Sequence, residues 1–80
     1  MITTFKIPYD KGELRIGWAS WDDGSLTDRS VKFAYNDKSG KTSRGAPELP
    51  FGVLTDMIVL AHQQGELDAD MVAKIKTAFR

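Results

Sequence analysis

The sequence predicts an α+β fold, in which an antiparallel β-meander of three to four strands is followed by a C-terminal two-helix hairpin packed on one face. Three observations lead to this order, β-β-β-(β)-α-α. Apolar and polar residues alternate along the first 36 residues, glycine-containing turns interrupt that alternation, and helical periodicity begins at Pro50. The 80 residues form a single globular domain, with 1–46 as the sheet and 47–80 as the helical hairpin.

The strands are recognised by their period of two. They are predicted at Thr3–Tyr9, Glu13–Trp21 and Ser30–Asn36, with a short, polar and basic fourth strand at Lys41–Arg44. A turn over Asp10–Glu13 joins the first two strands and places Ile7 opposite Ile16. The Asp-Gly turn that follows Trp21 favours a tight hairpin and places Ile16 beside Val31. In both pairings the apolar faces coincide, which is the condition that a register must meet.

The two helices are recognised by their period of 3.6. Pro50–Gln64 carries apolar residues over about half of its circumference, so we expect two neighbours, the sheet and the second helix, to cover it. Met57 and Ile58 are therefore predicted to be buried. Gly65 ends this helix as a left-handed cap, and Asp68 caps the next one.

The composition narrows the classes of function. With no cysteine, the chain has no disulfide, thiolate ligand or thiol nucleophile. No apolar run approaches the length of a membrane span, and the first residues do not resemble a signal peptide, so a cytoplasmic protein without membrane contact is expected. The net charge is zero, but residues 29–46 carry five basic side chains against one acidic.

The short motifs of the sequence do not indicate a catalytic, cofactor-binding or metal site. Ser39–Thr42 reads SGKT, but the glycine of a complete phosphate-binding loop is absent and no helix start follows, so a turn is expected. His62 is the only histidine. No candidate nucleophile or orienting acid lies at a sequence spacing that would indicate a catalytic pair, so a structural role is favoured. The acids at Asp22–Asp23 and Asp68–Asp70 are explained by a turn and a helix cap. Acids at the start of the last helix also argue against its reading DNA.

The outer face of the predicted sheet offers a surface for a partner. Arg15 is placed directly opposite Lys32, with Lys6 diagonal to Arg15, and like charges in such positions destabilise a sheet. Trp21 is placed opposite Leu26 on the same face. The candidate partner surface comprises Lys6, Arg15, Trp21, Leu26, Lys32, Lys38, Lys41 and Arg44. The alternative is that Glu13 neutralises the cations and the face is only solvated.

The sequence alone does not identify the function. It favours a small non-enzymatic module that binds another protein, a homodimer being one form of this. The alternative is weak, sequence-nonspecific binding of nucleic acid by the basic face and loop. More distant alternatives are an accessory or inhibitor protein of a phage or mobile element, and an enzyme assembled from residues far apart in the chain.

Overall fold

The computed structural model describes all 80 residues and confirms the α+β class. Its elements are β1 (Ile2–Tyr9), β2 (Gly12–Trp18), β3 (Arg29–Tyr35), β4 (Leu49–Pro50), α1 (Phe51–Gln63) and α2 (Ala69–Ala78). The strands form one antiparallel sheet in the order β1-β2-β3-β4. The helical segment packs against this sheet through α1, which contacts β3 and β4.

The turn between β1 and β2 lies one residue earlier in the chain than the sequence predicts. Only Asp10 and Lys11 connect the paired strands, and Asp10 takes a positive φ of 48°. Asp tolerates this conformation better than most residues. The two connecting residues therefore lie between Tyr9 and Gly12, and not between the predicted pair Asp10 and Glu13. The predicted pairing of Ile7 with Ile16 is wrong by two residues, since Ile7 lies opposite Leu14. Because a shift of two preserves the side-chain alternation, the apolar faces still coincide.

The register between β2 and β3 is confirmed. Ile16 lies opposite Val31, and Arg15 lies opposite Lys32. However, β2 ends at Trp18 rather than continuing as one side of a tight hairpin. Residues 19–28 form a loop outside the strands, and the predicted turn is present in it, since the Ser25 amide donates to the Asp22 carbonyl over 3.1 Å.

The predicted fourth strand at Lys41–Arg44 is wrong. Within that segment only Thr42 makes a bridge, to Asn36. The strand that completes the sheet is Leu49–Pro50, which pairs with the start of β3. A strand of two residues is too short to show the alternation by which strands are recognised, and one of these two is a proline, which is rare inside sheets. The sequence therefore shows no sign of this strand.

The ends of the helices follow the predicted caps. At the end of α1, the Gly65 amide donates to the His62 carbonyl and the Glu66 amide donates to the Ala61 carbonyl. This is the Schellman arrangement, and Gly65 takes the left-handed φ of 75° that it requires. At the start of α2, the Asp68 carboxylate accepts a hydrogen bond of 2.9 Å from the Met71 amide.

The burial pattern differs from the prediction. Only four of the 80 residues are buried, and all four are small: Gly17, Ala19, Ser30 and Ala34. Neither helix contains a buried residue. Met57 and Ile58 were predicted to be buried, but 49% and 38% of their surfaces are exposed. The helical period identifies the apolar side of α1, but it does not say whether this chain covers that side.

The whole molecule is correspondingly open. Its solvent-accessible surface is 6352 Å², whereas a compact monomer of 8.9 kDa exposes about 4,800 Å². The Cα radius of gyration is 14.4 Å, against about 11.6 Å for a compact domain of this length. The chain thus exposes roughly 1,500 Å² more than its size requires.

Candidate interaction surfaces

The polar face of the sheet carries a row of cations. Lys6 lies opposite Arg15, which lies opposite Lys32, so the three side chains cross three adjacent strands at one level. We call these three residues the cation row. The sequence predicted that Lys6 would be diagonal to Arg15, but the shifted register places the two in direct opposition. The basic residues are thus more closely aligned than expected.

Glu13 neutralises part of the cation row. Its carboxylate lies 2.7 Å from the Arg15 guanidinium and 3.6 Å from the Lys6 ammonium. The hydrogen bond from Arg15 holds the pKa of Glu13 below its usual value, and the charges of Lys6 and Arg15 act in the same direction. Lys32 forms no ion pair, so Glu13 balances the first two cations and not the third.

The remaining predicted cations lie beyond β3 in a turn and the segment after it. The Asp37 carboxylate organises the turn by accepting from the backbone amides of Ser39 and Lys41 and from the Ser39 hydroxyl. These bonds, that of the Ser39 hydroxyl foremost, hold the pKa of Asp37 below its usual value. The SGKT segment is therefore a turn, as the sequence predicts. Lys38, Lys41 and Arg44 are exposed and form no ion pair.

The loop of residues 19–28 is built around Asp22. Its carboxylate accepts hydrogen bonds of 3.0 Å from the Asp28 amide and 3.1 Å from the Thr27 amide. Trp21 is not a strand partner of Leu26, as the sequence suggested, because β2 has already ended; its indole Nε1 donates to Asp28 over 2.7 Å. Leu26 is exposed and takes a φ of 56°, an uncommon conformation for a bulky residue. Trp21 and Leu26 are thus exposed side chains of a loop that lies outside the strands of the cation row.

The opposite face of the sheet is apolar, and we call it the apolar sheet face. It comprises Phe5, Ile7, Tyr9, Leu14, Ile16, Trp18, Val31, Phe33 and Tyr35, which the registers place on one side. Tyr9 and Phe33 pack edge to face with ring centroids 5.6 Å apart, and Tyr35 lies 5.7 Å from Phe33. Since α1 contacts only β3 and β4, it leaves β1 uncovered, and Phe5 is 60% exposed.

A second uncovered apolar surface lies on α1. Val53, Met57 and Leu60 recur at i, i+4 and i+7 and occupy an arc of about 60°. Their exposed fractions are 44%, 49% and 57%. We call these three residues the α1 stripe. The less exposed residues of the helix, Leu54 and Ala61, lie beside it.

The side of α1 that faces α2 forms an open groove. Two adjoining cavities of about 330 and 320 Å³ share the side chains of Ile58, Val59 and Ile75. His62 lines the first cavity and is itself exposed. Val59 therefore lies on the side of α1 that is turned towards α2. The two helices line this apolar cleft from opposite sides but do not pack against each other.

Glu48 is a structural residue that the sequence analysis did not single out. It directly precedes β4, and its side chain is only 12% exposed. It accepts hydrogen bonds from Ser20 and Ser30 and lies 3.5 Å from the Met1 ammonium. Burial acts to raise the pKa of Glu48, but the Ser20 bonds and the ammonium outweigh it and lower that pKa. These partners are distant in sequence, so no local pattern reveals them.

Comparison with known proteins gives no relative: no family model, curated protein or solved structure matches the chain. Within the structure, no three side chains of the His, Cys, Asp or Glu type cluster in a way that could hold a metal ion. Neither helix has the length and apolar character needed to cross a membrane.

Proposed function

We propose that this protein is a small non-enzymatic interaction module, which binds another protein through the apolar sheet face and the α1 stripe. The observation that supports this is the uncovered apolar surface. Monomeric proteins rarely expose contiguous apolar patches of more than a few hundred Å², and larger ones mark interaction sites. Here the whole chain exposes about 1,500 Å² more total surface, polar and apolar together, than its length requires. The apolar sheet face and α1 supply most of the large exposed apolar side chains.

The lowered pKa values of four acidic residues argue against a general-acid role for these four. Glu13, Asp22, Asp37 and Glu48 each have a lowered pKa, because each accepts hydrogen bonds from neighbouring groups within the fold. A general acid requires the opposite shift, towards the working pH. These carboxylates serve the structure by organising turns, the cation row and the connection to β4.

The test replaces two exposed residues of β1. Phe5→Ser with Ile7→Ser removes apolar surface from the apolar sheet face, and both residues are already largely exposed, so the fold should survive. A partner captured from the source cells would be purified and titrated calorimetrically against the wild type and this variant. We expect at least about a tenfold loss of affinity, since truncating central apolar contacts commonly costs more than 1 kcal/mol.

The matched control is Lys6→Ser, which alters the same strand on its polar face. It should leave the affinity unchanged. Equal affinities for the wild type and the Phe5/Ile7 variant would contradict the proposed use of this face, provided that circular dichroism shows both to be folded.

Nucleic-acid binding is the second candidate function, and the alignment of the cation row favours it. Lys6, Arg15 and Lys32 form one line across the polar face, and Lys32 has no acidic partner. Against this, Glu13 pairs with two of the cations, and the aromatic residues of the strands lie on the other face. Stacking on bases, which strong single-strand binders use, is therefore not available there.

A salt titration tests this candidate. Labelled single- and double-stranded oligonucleotides should bind with a log–log salt slope of roughly −2 to −4 if about three to five phosphates are contacted. Arg15→Glu combined with Lys32→Glu should abolish the binding. The control reverses the same two residue types on the helical side, with Lys74→Glu and Arg80→Glu. Absence of binding at low salt, or indifference to the Arg15/Lys32 reversal, would remove the cation row as a nucleic-acid site.

A further inference from the structure

We infer that one end of the apolar sheet face binds single-stranded nucleic acid, with its bases stacked on exposed aromatic rings and its phosphates held by cations of the adjoining turns. This inference goes beyond the proposed protein-binding function and does not rest on it. It also places nucleic acid on the opposite face of the sheet from the cation row. Three features of the structure lead to it: exposed rings, unpaired cations beside them, and an uneven distribution of charge between the two ends of the sheet.

Three aromatic side chains meet at this end of the sheet, and we call them the aromatic cluster. Tyr9 and Tyr35 both pair with Gly12, which has no side chain. Phe33 packs against both tyrosines, with ring centroids 5.6 and 5.7 Å apart. Tyr9 is 52% exposed, and Phe33 and Tyr35 are exposed as well. Unpaired bases stack on such rings, and antiparallel sheets that bind RNA stack two or three bases in this way.

The rings of the aromatic cluster are free for a ligand, unlike the tryptophan at the other end of the same face. Arg29 lies over the Trp18 ring, 4.6 Å from its centroid, so the protein itself uses that ring. No cation of the chain lies over a ring of the aromatic cluster. β4, from which α1 begins, pairs with the start of β3, whereas the aromatic cluster lies at the end of β3.

Exposed cations lie on two adjacent turns beside the aromatic cluster. Lys11 lies in the turn between β1 and β2, and its carbonyl accepts a hydrogen bond of 2.8 Å from the Asn36 amide. The segment after β3 therefore starts beside this turn. It returns past Tyr35, whose carbonyl accepts a hydrogen bond of 2.8 Å from the Ser43 amide. The exposed cations of this region, none of which forms an ion pair, are Lys11, Lys38, Lys41 and Arg44. We call these four residues the turn cations.

The charge at this end of the sheet is positive, although the whole chain is neutral. Two acids lie among the four turn cations, Asp10 and Asp37. The carboxylate of Asp37 is engaged by the amides of Ser39 and Lys41 within its own turn. The loop at the other end of the sheet has no cation and carries Asp22, Asp23 and Asp28. A polyanion is therefore attracted to the end that holds the aromatic cluster.

The combination of rings and cations specifies the ligand. A single strand carries a planar base and a phosphate in every nucleotide, which match the aromatic cluster and the turn cations respectively. In a duplex the faces of the bases are covered by neighbouring base pairs, so a duplex could use only the cations. The aromatic cluster thus favours the single strand.

Fluorescence anisotropy of labelled oligo(dT) tests this site, with a probe of about eight nucleotides, a usual site size. The wild type should bind with a log–log salt slope of about −2 to −3, as expected for roughly three to four phosphates on a single strand. Tyr9→Leu with Tyr35→Leu keeps the surface apolar but removes two rings. It should weaken binding at least about tenfold, since each stacked base commonly contributes a factor of about five or more.

Two control pairs separate stacking and charge from other effects. Tyr9→Phe with Tyr35→Phe keeps both rings and should bind like the wild type. Lys38→Glu with Lys41→Glu should make the salt slope shallower by about 1.4, because two phosphate contacts are lost. The same reversal on α2, Lys74→Glu with Lys76→Glu, should leave the slope unchanged. Circular dichroism checks that each variant is folded, and Tyr9→Leu alone, at the most exposed of the three rings, replaces the leucine pair if that pair unfolds.

Three outcomes would overturn the inference: no binding at low salt, equal affinities of the wild type and the folded leucine variant, or equal affinities for oligo(dT) and its duplex with oligo(dA). Binding that is lost in the Arg15→Glu/Lys32→Glu variant but kept in the leucine variant would place the strand on the cation row and would overturn it as well. None of these outcomes bears on the proposed protein-binding function, which is tested separately by the affinity of the Phe5/Ile7 variant for a captured protein.

Discussion

At the scale of single residues, the irregular parts of this chain are held by carboxylates that bond to backbone amides. Asp22 closes the loop of residues 19–28, and Asp37 organises the turn after β3. The Asp28 amide is the main cause of the lowered pKa of Asp22, with Thr27 contributing further bonds. Asp22 therefore stays ionised to a lower pH in the folded chain than in the unfolded chain.

This difference between the folded and unfolded pKa predicts how the contribution of Asp22 to the stability of the fold depends on pH. Because the folded pKa is the lower one, the carboxylate stabilises the fold above its unfolded pKa, and the effect disappears as the pH falls through the folded pKa. We expect Asp22→Asn to lower the melting temperature at about pH 7 and to have little effect at about pH 2. Thermal melts followed by circular dichroism at both pH values provide the measurement.

Asp23→Asn is the matched control for this prediction. Asp23 lies in the same turn, but its side chain accepts none of the hydrogen bonds that hold the loop. Its replacement should leave the melting temperature unchanged at both pH values. If the two variants behave alike, the bonds to Thr27 and Asp28 do not stabilise the loop in solution.

At the scale of elements, the end of α1 depends on a backbone conformation that favours glycine. Gly65 has a φ of 75°, where a Cβ would be strained, whereas Gly52 lies inside the first turn of α1 with open space around it. Gly65→Ala should lower the free energy of unfolding by about 1–2 kcal/mol, the cost of a left-handed conformation. Gly52→Ala should raise it by about 0.5–1 kcal/mol, because alanine favours the helix.

Urea denaturation of the two variants measures this pair of opposite effects. Both substitutions add one methyl group, Gly52→Ala near the start of α1 and Gly65→Ala just after its end. Comparing their free energies of unfolding therefore separates the effect of backbone conformation from that of the added apolar surface. A stabilising effect of Gly65→Ala would show that α1 does not end in the Schellman arrangement in solution.

How much of each element could be predicted depended on whether its signal is local. The pairing of Ile16 with Val31 followed from the Asp-Gly turn after Trp21 together with alternation, and the caps at Gly65 and Asp68 followed from single residue types. The β1–β2 register failed by two residues because both registers satisfy the same alternation. β4 and Glu48 were missed because their partners are far away in sequence.

The candidate site was predicted in part. The sequence brought Arg15 and Lys32 together correctly, because their pairing follows from the β2–β3 register. It attached Trp21 and Leu26 to the same face only by extending β2 beyond Trp18, where the structure has a loop. It could not show that the apolar sheet face stays uncovered. Alternation shows which residues share a face, but not whether the chain has enough further surface to cover that face.

At the scale of the whole molecule, the shortage of buried side chains limits the stability of a single chain. Four small buried residues exclude very little apolar surface from water, while ordering each residue costs about 1–2 kcal/mol in conformational entropy. If the interaction module proposed above binds a second copy of itself, folding of this chain should therefore be coupled to that association. Obligate homodimers commonly have no stable folded monomer, and their stability depends on concentration.

This coupling predicts a melting temperature that rises with protein concentration. Two chains of 80 residues unfold with an enthalpy of about 110 kcal/mol, at about 0.7 kcal/mol per residue. For a dimer that unfolds directly to separate chains, the melting temperature should then rise by about 4 °C for each tenfold increase in concentration. Reversible calorimetric scans over a hundredfold range, with sedimentation on the same samples, measure the shift. A melting temperature that stays constant over this range would mean that one chain folds by itself, with its apolar faces open to an unlike partner.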